Sequence, residues 1–358
     1  MPDCFAYLGA MISFLLAQAF TPLARRLALW ANLVAPVRPD RQHREVRPYG
    51  GGLAVLAAFA IVLAAMALLL PRVEDEIVYV DHNELARLGV GAILFFVLGL
   101  LDDRYAFSGG VKLLLQSACA ATVVFVLNIK ATVWLSVPGA PEAASLLWIL
   151  AVVNAYNLFD HADGLAAACG ILVLAAFAFG QMFVCREFDV VTGTSVVIPA
   201  LILAGALAGF LRFNWPPAQL FMGDAGSMLV GYLLAALTMQ ARYYYRWYGQ
   251  SRWVVLVPLA LLAVPLFDML CVTLGRIRRG ESPFKGDATS HLGHRMLARG
   301  VRPGRVVLFV AAMTAITGAA SIVMYHVEGW ALAACWGAVA AVCGMMLLAR
   351  RVRRPAAR

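Results

Sequence analysis

The run NAYNLFDHADGL at residues 154–165 closes an otherwise apolar segment with two carboxamides and two carboxylates, Asn154, Asn157, Asp160 and Asp163. They recur every third residue, and each such step turns a helical side chain back by about 60°. On one unbroken helix the first and last would face opposite sides, so all four share a site only if the helix stops near Asp160. Gly164 supplies a residue suited to a turn there. Carboxylates and carboxamides gathered at a span end suit a hydrated cation and a polyhydroxylated ligand. The competing reading is a buried polar network with Asp163 capping the next helix.

Other acids and bases also collect at the ends of apolar segments. LGLLDDRYAFSGGVKLLLQ places Asp102 and Asp103 side by side, with Lys112 and Gln116 one short loop later. Adjacent carboxylates repel, so the pair suits a divalent cation or a cationic partner better than it suits a bare interface, although solvated loop acids look the same. In FNWPPAQLFMGDAGSM, Pro216 and Pro217 forbid immediate helix, and Gly223 and Gly226 bracket Asp224, whose plainer role is to cap the apolar helix that follows. Asp268 lies inside an apolar segment about two turns before Arg276. Beyond it, RIRRGESPFKGDATSHLGHRMLARG carries Asp287, His291 and His294 among arginines, including Arg295. Imidazoles in that company resemble an anion site more than a metal site, because neighbouring cations disfavour a metal ion. The first loop, APVRPDRQHREVRPYGGGLAV, is rich in Arg and His and closes on glycines 50–52.

The elements that must position these groups are membrane helices. Hydrophobic residues make up 62% of the chain and charged residues 14%, with mean hydropathy +0.80, whereas soluble domains carry roughly 25% charged residues. The expected fold is all-α and polytopic, with about eleven transmembrane helices near 5–29, 52–71, 87–101, 111–128, 144–160, 164–184, 194–212, 225–240, 253–275, 304–325 and 329–349. The first ends in Arg25 and Arg26 without a cleavage site and reads as a retained span. Connections after odd-numbered spans, with the tail, hold 22 of the 29 Lys and Arg residues. The positive-inside rule then puts the N-terminus outside and the C-terminus in the cytoplasm. All the chemistry-bearing loops fall on that basic face, at about 30–51, 102–111, 160–164, 213–225 and 276–303, with a basic tail at 350–358, in one catalytic domain spanning 1–358. Topology and anionic headgroups account for the net charge of +9 without nucleic acid. The seven cysteines are scattered singly and support neither a disulfide framework nor a zinc site. No P-loop, nucleophile elbow or Rossmann fingerprint is present. An ion-coupled transporter also fits many spans with intramembrane acids, but carriers place their acids near the midplane and often repeat their halves. Here the acids gather at one face and no repeat is visible.

The order of a basic Pro/Gly–Gly loop, an LGLLDD span end, an N-x-x-N-x-x-D-x-x-D-G-L run, a block opening at Asn214 and reading FMGDAGS, and a late His-bearing loop resembles the polyprenyl-phosphate N-acetylhexosamine-1-phosphate transferases, over about residues 31–303. The resemblance implies transfer of a sugar 1-phosphate from a UDP-N-acetylhexosamine to undecaprenyl phosphate with release of UMP, in a bacterial inner membrane with the active site on the cytoplasmic face. It also implies Mg²⁺, with Mn²⁺ a candidate substitute, and leaves a homodimer open. Carried over by motif, Asp224 is the direct metal ligand. Asp102 and Asp103 complete or orient the metal shell, Asp102 being the candidate for any residual base role, and Lys112 lies near the phosphates. Asn154, Asn157, Asp160, Asp163 and Asn214 hold nucleotide and sugar, Phe221 stacks on the base, and His291, His294 and Arg295 face the diphosphate or sugar. Three departures stand out. The family often reads D-G-x-D-G where this chain has Asp160-His161-Ala162-Asp163-Gly164. Many members carry H-x-H-H where it has His291-Leu292-Gly293-His294, with a residue inserted after Asp287, and Val34 replaces an Asp before Pro36. The second departure argues against the muramoyl-pentapeptide branch and leaves the N-acetylglucosamine branch nearer.

Overall fold

The computed structural model describes residues 2–35, 47–69, 82–131, 137–187, 194–241, 243, 252–283 and 290–351. The Arg/His-rich stretch at 36–46, Asp287 and tail residues 352–358 lie outside the described residues.

Thirteen α-helices dominate the described chain: α1 (Pro2–Trp30), α2 (Gly51–Leu69), α3 (His82–Tyr105), α4 (Gly109–Ala121), α5 (Ala140–Phe159), α6 (Leu165–Glu187), α7 (Thr194–Asn214), α8 (Gly223–Gln240), α9 (Val257–Leu261), α10 (Ala263–Arg278), α11 (Leu292–Leu297), α12 (Pro303–Val323) and α13 (Gly329–Arg351). Two-residue strands β1 (Val34–Ala35) and β2 (Arg47–Pro48) pair antiparallel and close the base of the first loop. Nine described helices, α1 to α7 with α12 and α13, are long and apolar enough to cross a bilayer. The bent pair Trp253–Leu261 and Ala263–Arg278 makes ten if counted as one span. The protein is thus an all-α, multi-pass membrane protein, and large apolar side chains such as Leu68, Leu114, Leu147 and Trp330 face outward where lipid would cover them.

Two expected spans differ in kind from the rest. The segment at 253–275 is broken at Leu262 by a 72° bend, and the segment at 225–240 is an inner helix rather than an apolar lipid-facing one. Every residue of α8 is buried except Asp224 and Gln240. Its glycines, Ser227, Thr238 and Asp224 lower its apolar character because its neighbours are other helices, which do not demand a continuous apolar face. Small residues let those helices approach closely. A Cβ at Gly99 of α3 would lie 2.3 Å from the Asp224 carbonyl oxygen, and one at Gly231 of α8 would lie 2.8 Å from Val153 Cα of α5. Helices α3, α5 and α2 therefore clamp α8 and fix the height at which its first turn emerges.

Candidate active site

The first turn of α8 is set by a residue on another helix. Gly223 has φ +76°, a left-handed conformation that glycine adopts without steric cost, and it starts the helix abruptly. The two N–H groups that follow would lack partners, since a helix cannot satisfy its own first turn. Asp103, at the end of α3, takes both: Asp224 N donates to Asp103 Oδ1 at 2.9 Å and Ala225 N to Oδ2 at 3.0 Å. Both oxygens of Asp103 thus serve the backbone, and the carboxylate complements the positive helix end. What this arrangement fixes is the first turn of α8, and with it the direction of Asp224.

Asp224 is aimed by that cap at a compact polar cluster. Lys112, near the start of α4, lies with Nζ 2.6 Å from Asp102 Oδ2, 2.8 Å from Asp224 Oδ2 and 2.7 Å from Asn157 Oδ1. Asn157 Nδ2 donates to Asp224 Oδ1 and to Ser227 Oγ, both at 2.9 Å. The remaining Asp102 oxygen accepts Phe107 N–H at 2.9 Å, which folds the short α3–α4 loop back onto the carboxylate. Three helices and the start of a fourth thus bring three oxygens, two carboxylate and one carboxamide, around a single ammonium. Asp102 is buried at 6% exposure, whereas the Asp224 side chain is 37% exposed and opens the cluster to its surroundings.

The polar run at the end of α5 divides between several partners. The helix stops at Phe159 with Asp160 as its C-cap, and Gly164 takes φ +72° before α6 begins. Of the four run residues, Asn157 enters the Lys112 cluster. Asn154 lies one turn deeper and donates to Gln116 Oε1 at 2.8 Å. Asp163 and Asn214 lace the α7–α8 loop instead: Ala218 N donates to Asp163 Oδ2 at 2.9 Å, Gly164 N to Asn214 Oδ1 at 3.0 Å, and Asn214 Nδ2 to Leu220 O at 2.9 Å. That loop turns at the cis Pro216–Pro217 bond and ends at Phe221. Phe221 N donates to Pro48 O and Gly51 N to Phe221 O, so the base of the first loop is stitched to the approach to Asp224. The Phe221 ring is half-buried, tilted against Tyr49 at 6.2 Å.

A second cluster begins just past the end of α5, four residues after Asn157. His161 stacks on His291 with centroids 4.4 Å apart and rings 24° from parallel, and His294 lies 5.2 Å from His161. His294 Nε2 also meets His161 O at 2.9 Å. Burial, with His291 beside it, holds His161 well below the usual imidazole range and keeps it neutral. His291 Nδ1 lies 2.7 Å from Asp268 Oδ2, and Leu292 N donates to Asp268 Oδ1 at 3.1 Å. Arg350, from α13, forms an ion pair with the same carboxylate. Arg295 Nη1 bonds Arg350 O at 3.3 Å, so it reinforces the α11–α13 contact. Donor atoms of His161, Asp268 and His291 lie within 4.8 Å of one another, close enough to suggest a metal site. The chemistry opposes one, because both Asp268 oxygens are already engaged, by an imidazole, a backbone N–H and a guanidinium that neutralises the carboxylate's charge.

Sequence reasoning had no signal for Arg350, one of several tail arginines. Asp268 carried a signal, as a lone acid in an apolar segment. Ser227 could have been found as the residue one turn after Asp224 on the same face.

An acid-rich site at one end of a bundle of membrane helices defines a membrane-embedded enzyme class rather than a soluble fold. Residues 85–242 match the family described as glycosyl transferase family 4. The chain is 33% identical to the decaprenyl-phosphate N-acetylglucosaminephosphotransferase of Mycobacterium tuberculosis, over 97% of this chain and 88% of that one. It is 32% identical to the protein of that name from Mycolicibacterium smegmatis (85% and 79% covered). It is also 25% identical to the undecaprenyl-phosphate alpha-N-acetylglucosaminyl 1-phosphate transferase of Salmonella typhi (91% and 86% covered). The chain belongs to the polyprenyl-phosphate N-acetylhexosamine-1-phosphate transferase family.

Proposed function

We propose that this protein transfers N-acetylglucosamine 1-phosphate from UDP-N-acetylglucosamine to undecaprenyl phosphate, releasing UMP, at the cytoplasmic face of a bacterial inner membrane. The observation that carries the reading is the convergence of Asp102, Asp224 and Asn157 oxygens on the Lys112 ammonium. These are hard oxygen donors already arranged around a cation, the donor set that suits Mg²⁺. Asp224 and Asp102 would hold the ion with Asn157 beside them. Bound there, it would supply charge neutralisation for a diphosphate.

The protein's own groups have an electrostatic task. An oxygen of the acceptor phosphate attacks the sugar-bearing phosphorus of the donor; the new P–O bond forms as the bond to UMP breaks, and the electron pair leaves with UMP. The acceptor is a phosphate monoester with a second pKa near 6, so at neutral pH it is mostly dianionic and needs no strong base. What must be overcome is repulsion between two anions and charge growing on the leaving group. Lys112, held among the acids, is placed to swing toward those phosphates. Asp103 fixes the first turn of α8 and thereby the direction of Asp224, a positioning role. Phe221 stacks on the uracil, while Asp160 and Asn154 border the sugar side. In this reading eleven spans place the N-terminus outside and the C-terminus inside, with α8 and the bent 253–278 pair completing the nine apolar helices.

The test is UMP release by the purified full-length protein given UDP-N-acetylglucosamine and undecaprenyl phosphate, with Mg²⁺, with Mn²⁺ and with chelator. Release that needs both the lipid and the divalent ion is expected. Turnover of UDP-N-acetylmuramoyl-pentapeptide in preference, or release without lipid, overturns the reading. A cysteine placed at Ser108 should be shielded from impermeant reagent in intact cells while one at Asn83 is labelled; the reverse inverts the topology.

A further inference from the structure

Two of the departures from the family pattern are neighbours in space. The chain has His161 where the D-G-x-D-G pattern of the resemblance places a glycine, and Gly293 where its H-x-H-H pattern places a histidine. A Cβ added at Gly293 would lie 2.6 Å from His161 Nε2, a distance that real Cβ contacts essentially never show. The space a side chain at 293 would need is filled by the imidazole of residue 161. That ring is held there from several sides: its Nδ1 meets Leu158 O at 3.1 Å, its face stacks on His291, and its own carbonyl accepts from His294. Nε2 is buried without a hydrogen-bond partner and points at Gly293. Lacking any side chain, Gly293 is the one residue type that admits the ring.

We propose that His161 supplies, from the α5–α6 loop, the imidazole that the 291–294 run lacks, so that His161, His291 and His294 form one three-imidazole wall assembled from two loops. The proposal rests on the reading that this loop faces the donor sugar-phosphate. Within it His161 is a positioning residue. Stacked on His291, whose other side is locked to Asp268, it sets the plane of that ring, and through its carbonyl it sets the place of His294. The exchange also joins the wall to the acid cluster, because His161 follows Asn157 by four residues, just past the end of α5. A donor drawn into the Asp224 cluster would therefore meet imidazoles registered by the same helix end, with no side chain at 293 intervening.

A reciprocal exchange tests this. Full-length wild type, His161→Gly, Gly293→His and the double variant are compared for KM and kcat with UDP-N-acetylglucosamine and for melting temperature. Each single change should raise KM about tenfold, one by removing the stack and the other by forcing two rings into one space; the double variant should return to within about threefold of wild type. If Gly293→His does not fold, Gly293→Ala replaces it: it should be harmful beside His161 and neutral in the His161→Gly background. Additive losses in KM and in melting temperature overturn the proposal. Recovery of melting temperature without recovery of KM shows packing alone and overturns the positioning role. If wild type releases no UMP, the transferase reading fails and the positioning role falls with it, while the melting temperatures still decide whether residues 161 and 293 exchange.

Discussion

The clusters at Asp224 and Asp268 use similar parts to opposite ends. Each sets a carboxylate against a long basic side chain, Asp224 in the first turn of α8 and Asp268 inside α10. Asp268 is 1% exposed and both of its oxygens are engaged, by His291, Leu292 N–H and Arg350. Asp224 has its carboxylate partly open, and its cation, Lys112, is shared with Asp102 and Asn157. A buried, saturated ion pair fastens α10, α11 and α13 together. A shared, half-open one is a place where a cation can be exchanged. Within the Asp224 cluster the same contrast recurs between neighbours, since Asp103 gives both oxygens to backbone N–H groups, whereas Asp102 gives one and turns the other to Lys112.

The comparison breaks first at Asp224. Asp224→Asn keeps the size and hydrogen-bonding reach of the side chain but removes its charge, and kcat should fall about a thousandfold with a weaker response to Mg²⁺. A Mg²⁺ titration in which the variant keeps near wild-type turnover would place the open carboxylate outside the chemistry. Asp268→Ala should act on the fold instead. It strands Arg350 and His291 without their acceptor, a loss of about 3–5 kcal/mol for a broken buried pair. The expected outcome is a markedly lower melting temperature and little folded protein; unchanged melting would make the saturated cluster dispensable.

Asp103→Asn sharpens the contrast between adjacent acids. One of the two backbone bonds is lost, which costs about 0.5–2 kcal/mol for a helix cap, so kcat should drop about tenfold while the Mg²⁺ midpoint stays where it is. A shifted midpoint would instead make Asp103 a ligand. The smallest effect is expected at Phe221. Stacking on a base contributes about 1–3 kcal/mol, so Phe221→Ala should raise the KM for the UDP-sugar by more than threefold with kcat largely kept. An unchanged KM would leave the ring as packing against Tyr49.

Much of this was legible in the residues, and the limits have physical causes. A stop of α5 near Asp160 is the condition under which Asn154 through Asp163 could share a site, with Gly164 suited to the turn, and the helix does end at Phe159. Spacing alone does not show that Asn154, Asn157 and Asp163 have different partners, because those partners come from α4, α8 and the α7–α8 loop, far away in the chain. Nine apolar helices were readable from hydropathy. The character of α8 was not, since hydropathy measures fitness for lipid and α8 meets protein. Similarly, His161 and Gly293 looked like two separate defects until their proximity made them one substitution. The spacing of His291 and His294 among arginines suggests an anion site; Asp268 stands out as a lone acid in an apolar segment, but nothing local links it to Arg350 or to the histidine loop they hold, because all three lie on different elements.

Because α8 is enclosed by other helices, its depth is referenced to protein and not to the bilayer. Thicker or thinner membranes change the tilt of lipid-facing helices to relieve hydrophobic mismatch, but the Gly99 contact and the Asp103 cap tie Asp224 to α3 directly. The Asp224 end of α8 is thus built as a rigid insert within a compliant sleeve. Reconstitution in lipids of different chain length would then leave the relative placement of Asp102 and Asp224 intact, and any change in turnover would report how the long-chain acceptor reaches them.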